Sequence, residues 1–275
     1  MSKENAAVKY SEMILEKLRA ILVTNDGAVY NNDYEGDLKS GGSVKIPTHA
    51  EAAVGDYNSA TGADLSALET AYVTMPVEWD IYVNELLDGF WDVEAIPGDV
   101  LAARLDSAAY SLANTIDIRS LAKLVAEGTV AEDTSALTKS TIFEAVIDAR
   151  TALSNAKVPA TDRYIIVNPT TYSLLLKSPD FVKAGDLSQT MLDKGYIGSI
   201  GGLFVKESAN LGSDVAFIAG HNRCATRGIA FDVPVHIQAL DGSGKYIGAS
   251  AVQGRLVGGA KVTTPEGIYV RKIVA

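Results

Sequence analysis

Residues 162–182 read DRYIIVNPTTYSLLLKSPDFV, and this stretch decides how the rest of the chain is arranged. Tyr164 to Val167 is an apolar run without polar alternation, which suits a strand covered on both faces. Asn168-Pro169 follows immediately. An Asn side chain satisfies free amides at a helix start, and Pro fits the first turn, where no amide partner is needed. A buried strand followed by a short capped helix through TTYSLLLKS is therefore predicted.

Downstream of this unit the chain is mostly strand-like: GLFVKESAN (202–210), DVAFIAG (214–220), RGIAFDVPVHIQAL (227–240), KYIGASAVQGRLVGGAKVT (245–263) and GIYVRKIVA (267–275). Upstream it is helical. Thr141 to Ala156 carries an apolar stripe of Ile142, Val146, Ala149 and Leu153, with Thr141 and Glu144 at capping-box spacing. Pro97 opens a longer helix with Asp99 in its first turn. Leu101, Leu105, Ala108, Leu112 and Ile116 keep helical spacing, and the helix can run to Gly128.

Still earlier, SVKIPTH (43–49) starts an extended run. VTMPVEWDIYV (73–83) returns with Val73, Met75, Val77, Trp79, Ile81 and Val83 on one face and Thr74, Pro76, Glu78, Asp80 and Tyr82 on the other, the alternation of a half-buried strand. Pro47 and Pro76 imply an edge or bulge. The connection AEAAVGDYNSATGADLSALE (50–69) is too long for a tight turn. The expectation is a long two-stranded arm. A lone hairpin is marginal in water, so its apolar face needs a partner, either the body of the fold or another subunit. The first segment has Val8, Ile14, Leu15, Leu18, Ile21 and Leu22 mostly on one helical stripe, with Lys3, Lys9, Glu12, Glu16 and Arg19 largely off it. It is followed by the turn-rich NDGAVYNNDYEGDLKSGGS (25–43). Helices in the middle with strands before and after give an α+β fold, without an internal repeat or a low-complexity block.

No motif carries chemistry. GYIGSIGGLFVKESANL (195–211) is dense in glycine, but a phosphate loop needs a helix N-terminus after its glycines. Leu203 to Glu207 reads as a strand, so the glycines serve a turn needing positive φ or close backbone approach. His49, His221 and His236 are scattered. His221 and Cys224 are close in sequence but supply one pair, where a closed zinc site needs four ligands. Cys224, the single cysteine, reads as a small buried residue and not as a nucleophile. The acidic pairs Glu78/Asp80 and Asp88/Asp92 suit a solvated face, and Trp79 and Trp91 suit core packing or an assembly contact. No residue is assigned a catalytic, cofactor-binding or metal role.

The net charge of −10 argues against electrostatic wrapping of nucleic acid, because phosphate contacts need clustered Lys and Arg. It does not exclude a protein that merely encloses nucleic acid. One cysteine excludes an internal disulfide and fits a reducing site of synthesis. The N-terminus has no uninterrupted signal-peptide core, and no apolar run approaches membrane-spanning length. A cytoplasmic place of synthesis is expected.

The order of elements resembles the major capsid (head shell) proteins of tailed double-stranded DNA bacteriophages, a fold shared with encapsulins and the herpesvirus capsid floor. The resemblance is strongest over residues 162–231. There DRYIIVNPTTYSLLLKSPDFV, GSIGGLFVKESANL and VAFIAGHNRCATRGIAFD look like the strand–helix–strand series of that family's axial domain, and GGAKVTTPEGIYVRKI is similar to its final strands. The resemblance implies an N-terminal arm (1–37) and an extended β-hairpin arm (38–84) lying over a neighbour. It further implies a peripheral domain with a spine helix (85–127 and 229–264) and an axial domain (128–228 and 265–275).

The implied function is structural. The chain would self-assemble into hexamers and pentamers of an icosahedral shell that encloses double-stranded DNA without sequence-specific contacts. The implied partners are copies of itself, a separate scaffolding protein and a portal protein, with no membrane; the implied location is the virion, assembled in the host cytoplasm. A separate scaffolding protein, or none, is expected because the arm helix follows Met1 almost directly, without a long charged leader. Some relatives join subunits by Lys–Asn isopeptide bonds. Lys39 and Lys45 lie near the base of the arm without a recognisable Asn or acid partner, so no crosslink is expected. An encapsulin-like compartment shell is the alternative within the fold, and an α+β enzyme with an unrecognised site the alternative outside it. An isolated enzyme has little use for a long hairpin with a one-sided apolar face, whereas an assembly interface requires such surface.

Overall fold

The computed structural model describes residues 22–25, 27–40, 42–49, 54–60, 62, 70–87, 98–178, 198–240, 242 and 244–273. The segment expected from its sequence to be the N-terminal helix (residues 8–21), Trp91, the pair Asp88/Asp92 and Gly195 lie outside the described residues. The chain runs α1 (Glu35–Ser40), β1 (Ser43–His49), β2 (Thr70–Pro76), β3 (Trp79–Leu87), α2 (Gly98–Glu127), β4 (Thr129–Val130), α3 (Ile142–Asn155) and β5 (Arg163–Val167). It continues with α4 (Pro169–Leu176), β6 (Ser199–Ile200), β7 (Leu203–Glu207), β8 (Val215–His221), β9 (Ala225–Ala239), β10 (Ser250–Val262) and β11 (Ile268–Lys272).

The opening stretch folds as its residues dictate. β5 lies inside a six-stranded sheet of order β4-β11-β8-β5-β7-β6, antiparallel to β8 and parallel to β7. Every residue of β5 is buried because both faces are covered. Tyr164 and Ile166 enter the core that α2 shares with β10. Ile165 and Val167 enter a second core beneath α3 and α4, where Ile142, Val146, Ala149 and Leu153 form the predicted stripe of α3. Asn168 caps α4 by accepting from the Thr171 amide at 2.7 Å, and its amide group donates to the Val215 carbonyl at 2.8 Å, tying the helix start to β8.

The spine helix α2 spans 30 residues and ends at Glu127; the amide of the next residue, Gly128, still reaches the Leu124 carbonyl at 2.9 Å. It packs Leu112, Ile116, Leu121 and Leu124 into a core with Trp79, Ile81 and Leu256 of a three-stranded sheet ordered β3-β10-β9. Pro234 falls where the β9–β10 register shifts, between the pairs Gln253–His236 and Arg255–Val233, a bulge that tolerates its missing amide.

The structure corrects several readings of the sequence. The run 73–83 is two strands: β2 pairs only with β1, while β3 pairs with β10. Pro76 has no amide to continue a ladder. Beyond it the Val77 amide turns to the Gly42 carbonyl (3.3 Å) and the Glu78 amide to the Gly258 carbonyl (3.0 Å). The alternation keeps its phase across this break, so Met75, Trp79 and Ile81 are all buried, and each is buried by this chain. The turn-rich segment contains α1, whose Leu38 packs under the hairpin base with Val44, Ile46 and Met75. The capping box at Thr141 does not form. Thr141 has helical angles, φ −101° and ψ −16°, and its hydroxyl accepts from the Thr138 amide at 3.0 Å. The strand foreseen from residue 245 begins at Ser250, after a turn in which Gly248 has φ +75°.

Candidate assembly surface

The residues with potential chemistry are held in structural roles. Gly201 (φ +56°) and Gly202 (φ +81°) form the two-residue turn joining β6 to β7, where two left-handed residues match the twist of a hairpin. A strand follows them and no helix, as the sequence predicts. His221 is buried, and its Nδ1 accepts from the Arg223 amide at 3.1 Å, capping a short 3-10 turn over Asn222–Cys224. Burial, assisted by Arg223, lowers its pKa. Burial raises the pKa of the Cys224 thiol, the opposite of what a nucleophile needs. His236 sits beside its own Pro234 carbonyl at 2.9 Å, and the His49 side chain lies outside the described residues. Among the described residues no three His, Cys, Asp or Glu side chains come together as a metal site, and no helix is long and apolar enough to cross a membrane.

Glu78 and Asp80 are separated by their partners. Glu78 meets Lys123 of α2 at 2.6 Å, whereas Asp80 takes two bonds from Arg255 of β10, at 2.8 and 2.6 Å. Lys123 also bonds Glu127 (3.1 Å), and Glu127 bonds Lys261 (2.8 Å) and the Val262 amide (3.0 Å). Burial pushes Glu127 up, but Lys261, the Val262 amide and Lys123 outweigh it and lower its pKa. The network fixes the β2–β3 break against the spine helix and β10, which sets the direction in which the hairpin leaves the body.

Two buried polar residues do comparable work and were not foreseen. Asp117 is fully buried on the core side of α2. Its Oδ1 accepts from the Val23 amide (3.1 Å), the Thr24 amide (2.9 Å) and the Thr24 hydroxyl (2.8 Å), and its Oδ2 from Asn210 (2.8 Å). The segment leading from the N-terminus is thereby pinned to the spine helix, and Tyr30 adds a bond to the Ser120 carbonyl at 2.7 Å. The one sequence cue is an Asp one helical turn before Leu121 on an otherwise apolar stripe. Arg163, 3% exposed, donates to the Val158 carbonyl (2.6 Å), the Pro159 carbonyl (2.8 Å) and the Ser154 hydroxyl (3.0 Å). It closes the end of α3 onto β5.

What remains exposed suits contact with other chains. In the hairpin, Val44/Met75 and Ile46/Val73 pair on the inner face, and Lys45/Thr74 and Pro47/Tyr72 on the outer. Burial fades away from the body: Met75 is fully buried, Val73 is half-buried, and Thr70, Ala71 and Tyr72 are exposed. Among the described residues this sheet has two strands, and the edge of such a sheet is a template for further pairing. The outer face of the β3-β10-β9 sheet exposes Tyr82, Leu86 and Phe231, with Arg255 lying 5.9 Å over the Phe231 ring. Large exposed aromatics beside an Arg are characteristic of contact surfaces.

Comparison with known proteins agrees with this picture. The model of a family described as phage capsid protein matches residues 90–270. A solved chain from Mycobacterium phage Che8 is similar at 25% identity, with a TM-score of 0.84 over 98% of each chain. A chain from the capsid structure of cyanophage P-SCSP1u is 13% identical, with a TM-score of 0.79 over 97% of this chain and 92% of that one. A virus-like particle from Pyrococcus furiosus shares the fold more distantly, at 13% identity and a TM-score of 0.53 over 84% and 86%. No curated protein matches the chain.

Proposed function

This chain belongs to the phage capsid protein family, and from that premise we propose that its copies close as hexamers and pentamers around packaged double-stranded DNA. It is a structural, non-enzymatic subunit of an icosahedral phage capsid; its partner in the shell is itself, and its place is the virion. The observation that carries the proposal is the similarity to the Che8 phage chain over 98% of both chains, which includes the projecting arm.

Within that reading the division of labour follows the sheets. The six-stranded sheet with α3 and α4 acts as the axial domain (128–228 and 265–275). The spine helix with β3, β9 and β10 acts as the peripheral domain (78–127 and 229–264), which takes in residues 78–84 beyond the range expected from the sequence because β3 pairs with β10. The arm is residues 38–77, its boundary moved from residue 84 to the β2–β3 break, because β3 pairs along its length with β10. The distal arm and the outer face of the three-stranded sheet are the contacts with neighbouring subunits. A separate scaffolding protein, a portal protein and assembly in the host cytoplasm complete the proposal. DNA is enclosed without being read, which is compatible with the charge of −10.

In this reading subunits are held without covalent crosslinks, because neither Lys39 nor Lys45, near the base of the arm, has a recognisable Asn or acid partner in the sequence. Dissociated virions are expected to yield a single 29.0 kDa species, and a ladder of its multiples on a denaturing gel overturns that part. Mass spectrometry of purified virions tests the main reading. This chain should be the dominant protein, inside nuclease-resistant particles that hold DNA. Particles filled with a protein cargo and lacking DNA would instead support a compartment shell.

A further inference from the structure

The two edges of the arm are not equivalent, and the backbone decides which of them can take another strand. One step before the pair Ser43–Pro76, the Val77 amide donates to the Gly42 carbonyl at 3.3 Å, so these opposed residues turn their backbone groups toward each other. In an antiparallel ladder such bonded pairs alternate with pairs that face away. Carried along the register, Val44/Met75 and Ile46/Val73 bond across the hairpin, whereas Lys45/Thr74 and Pro47/Tyr72 direct their backbone groups outward. The prolines agree with this phase. Pro47 and Pro76 both fall at outward positions, where a strand tolerates a missing amide.

The edge of β1 is blunted. Pro47 removes a donor from it and Lys45 adds a charge, the two devices by which an edge strand resists pairing, and both residues are exposed. The edge of β2 carries neither device between Thr70 and Thr74. It reads Thr-Ala-Tyr-Val-Thr, uncharged and dominated by residues that favour strands. Among the described residues β2 pairs with β1 alone. Val73, half-buried on the inner face, offers an added strand an apolar neighbour to cover.

We propose that the β2 edge takes an extended segment of a second copy of this chain as a third strand, bonded to the backbone of Tyr72 and Thr74, while the β1 edge stays unpaired. The mode is β-augmentation. The occupant is a second copy because the chain belongs to a phage capsid protein family and its partner in the shell is itself; the inference rests on that reading of the function. Burial by this chain's own body fades along the same strand, from Met75 to the exposed Tyr72, so the open edge lies on the part of the arm that projects.

Hydrogen exchange resolved to single amides by fragmentation, on the unassembled full-length subunit and on purified shells, tests it. The Tyr72 and Thr74 amides should exchange at least about tenfold more slowly in shells, while the Lys45 amide keeps its subunit rate. Unprotected Tyr72 and Thr74 amides, or a Lys45 amide protected as strongly as Thr74, overturn the proposal. Protection that appears with a bound scaffolding protein and is lost when it leaves gives the edge to a different partner and overturns it too. Proline substitution supplies a second measurement. Thr74→Pro and Lys45→Pro alter the two members of one outward pair and leave the bonded pairs Val44/Met75 and Ile46/Val73 intact. Shell yield should fall by about tenfold or more in Thr74→Pro and stay within about twofold of wild type in Lys45→Pro, with the urea midpoint of both subunits unchanged. Equal losses of yield in the two variants refute the choice of edge. A Thr74→Pro subunit that does not fold leaves the decision to the exchange experiment, which uses the wild-type chain. Shells with unprotected Tyr72 and Thr74 amides remove this contact alone and leave the function standing, whereas a wild-type chain that forms no shells removes both.

Discussion

Replacing Asp117 with Ala tests the anchor of the N-terminal segment most directly. The substitution leaves three donors without an acceptor: the Val23 amide, the Thr24 amide and the Thr24 hydroxyl. Thr24 is fully buried and Val23 nearly so. An unsatisfied buried donor costs about 1–3 kcal/mol, so a segment that stayed in place would lose about 3–9 kcal/mol. Release is cheaper. Letting residues 22–25 go exposes Val23, at about 2 kcal/mol, but returns roughly 1–2 kcal/mol of backbone entropy per freed residue. Tyr30 and Asn31 remain held through Ser120 and Ala225, so release should stop before them. The expected outcome is a loss of about 2–3 kcal/mol in urea unfolding of the unassembled subunit. In hydrogen exchange, protection should be lost at Val23 and Thr24 and retained in β5 and β8. Asp117→Asn keeps one carbonyl oxygen but presents an amide to the amide of Asn210, and should cost about 1 kcal/mol. Unchanged exchange at Val23 and Thr24 in Asp117→Ala, with stability within about 0.5 kcal/mol of wild type, would show that Asp117 anchors nothing.

Three further outcomes follow from the same structure. Trp79→Asp places a charge in the core with Leu112, Ile116 and Leu256 and should destabilise the subunit by at least about 4 kcal/mol; Tyr72→Asp, on the exposed end of the arm, should leave urea unfolding within about 0.5 kcal/mol while shell yield falls, and equal stability losses in the two variants would contradict the assignment of their faces. Gly259→Ala directs a methyl at the Pro76 carbonyl, a backbone atom that cannot rotate away, so a loss above about 2 kcal/mol is expected, and a neutral result would mean that the β2–β3 break moves freely. The Asp133 carboxyl is held at about 2 by the Ser135 amide and hydroxyl and then by Arg271; because this lies below the ordinary carboxylate value, its stabilisation is complete above about pH 4 and is lost as pH falls through about 2, so wild type and Asp133→Asn should converge in urea midpoint across that window and differ by a constant amount above it.

Much of the fold was legible because local chemistry and tertiary need coincide. The unbroken apolar run of β5, the Asn168-Pro169 start of α4, the stripe of α3 and the glycine turn before β7 each have a strong local cause. The break after Pro76 was not legible, because alternation in phase on both sides looks identical whether one strand continues or two strands serve different sheets. The short helix α1 lies in a polar stretch and owes its burial to one residue, Leu38, which fills space under a hairpin paired from distant segments. Thr141 had the right neighbours for a capping box, but a preceding turn through Thr138 claims its hydroxyl. Asp117 and Arg163 act by bonding backbone from elsewhere in the chain, and spacing cannot show where that backbone comes to lie. The assembly surface was half legible. The apolar face of residues 73–83 was identified, but the chain covers most of it itself, and the surface proposed for subunit contacts is instead the arm's distal end and the opposite face of β3.

The central claim, that this chain builds a closed shell from copies of itself, is tested most directly by sedimentation and negative-stain imaging of the purified full chain, alone and with a co-expressed scaffold. Closed shells, or rings of five and six subunits, are the predicted result. A compact monomer under every condition would contradict the account.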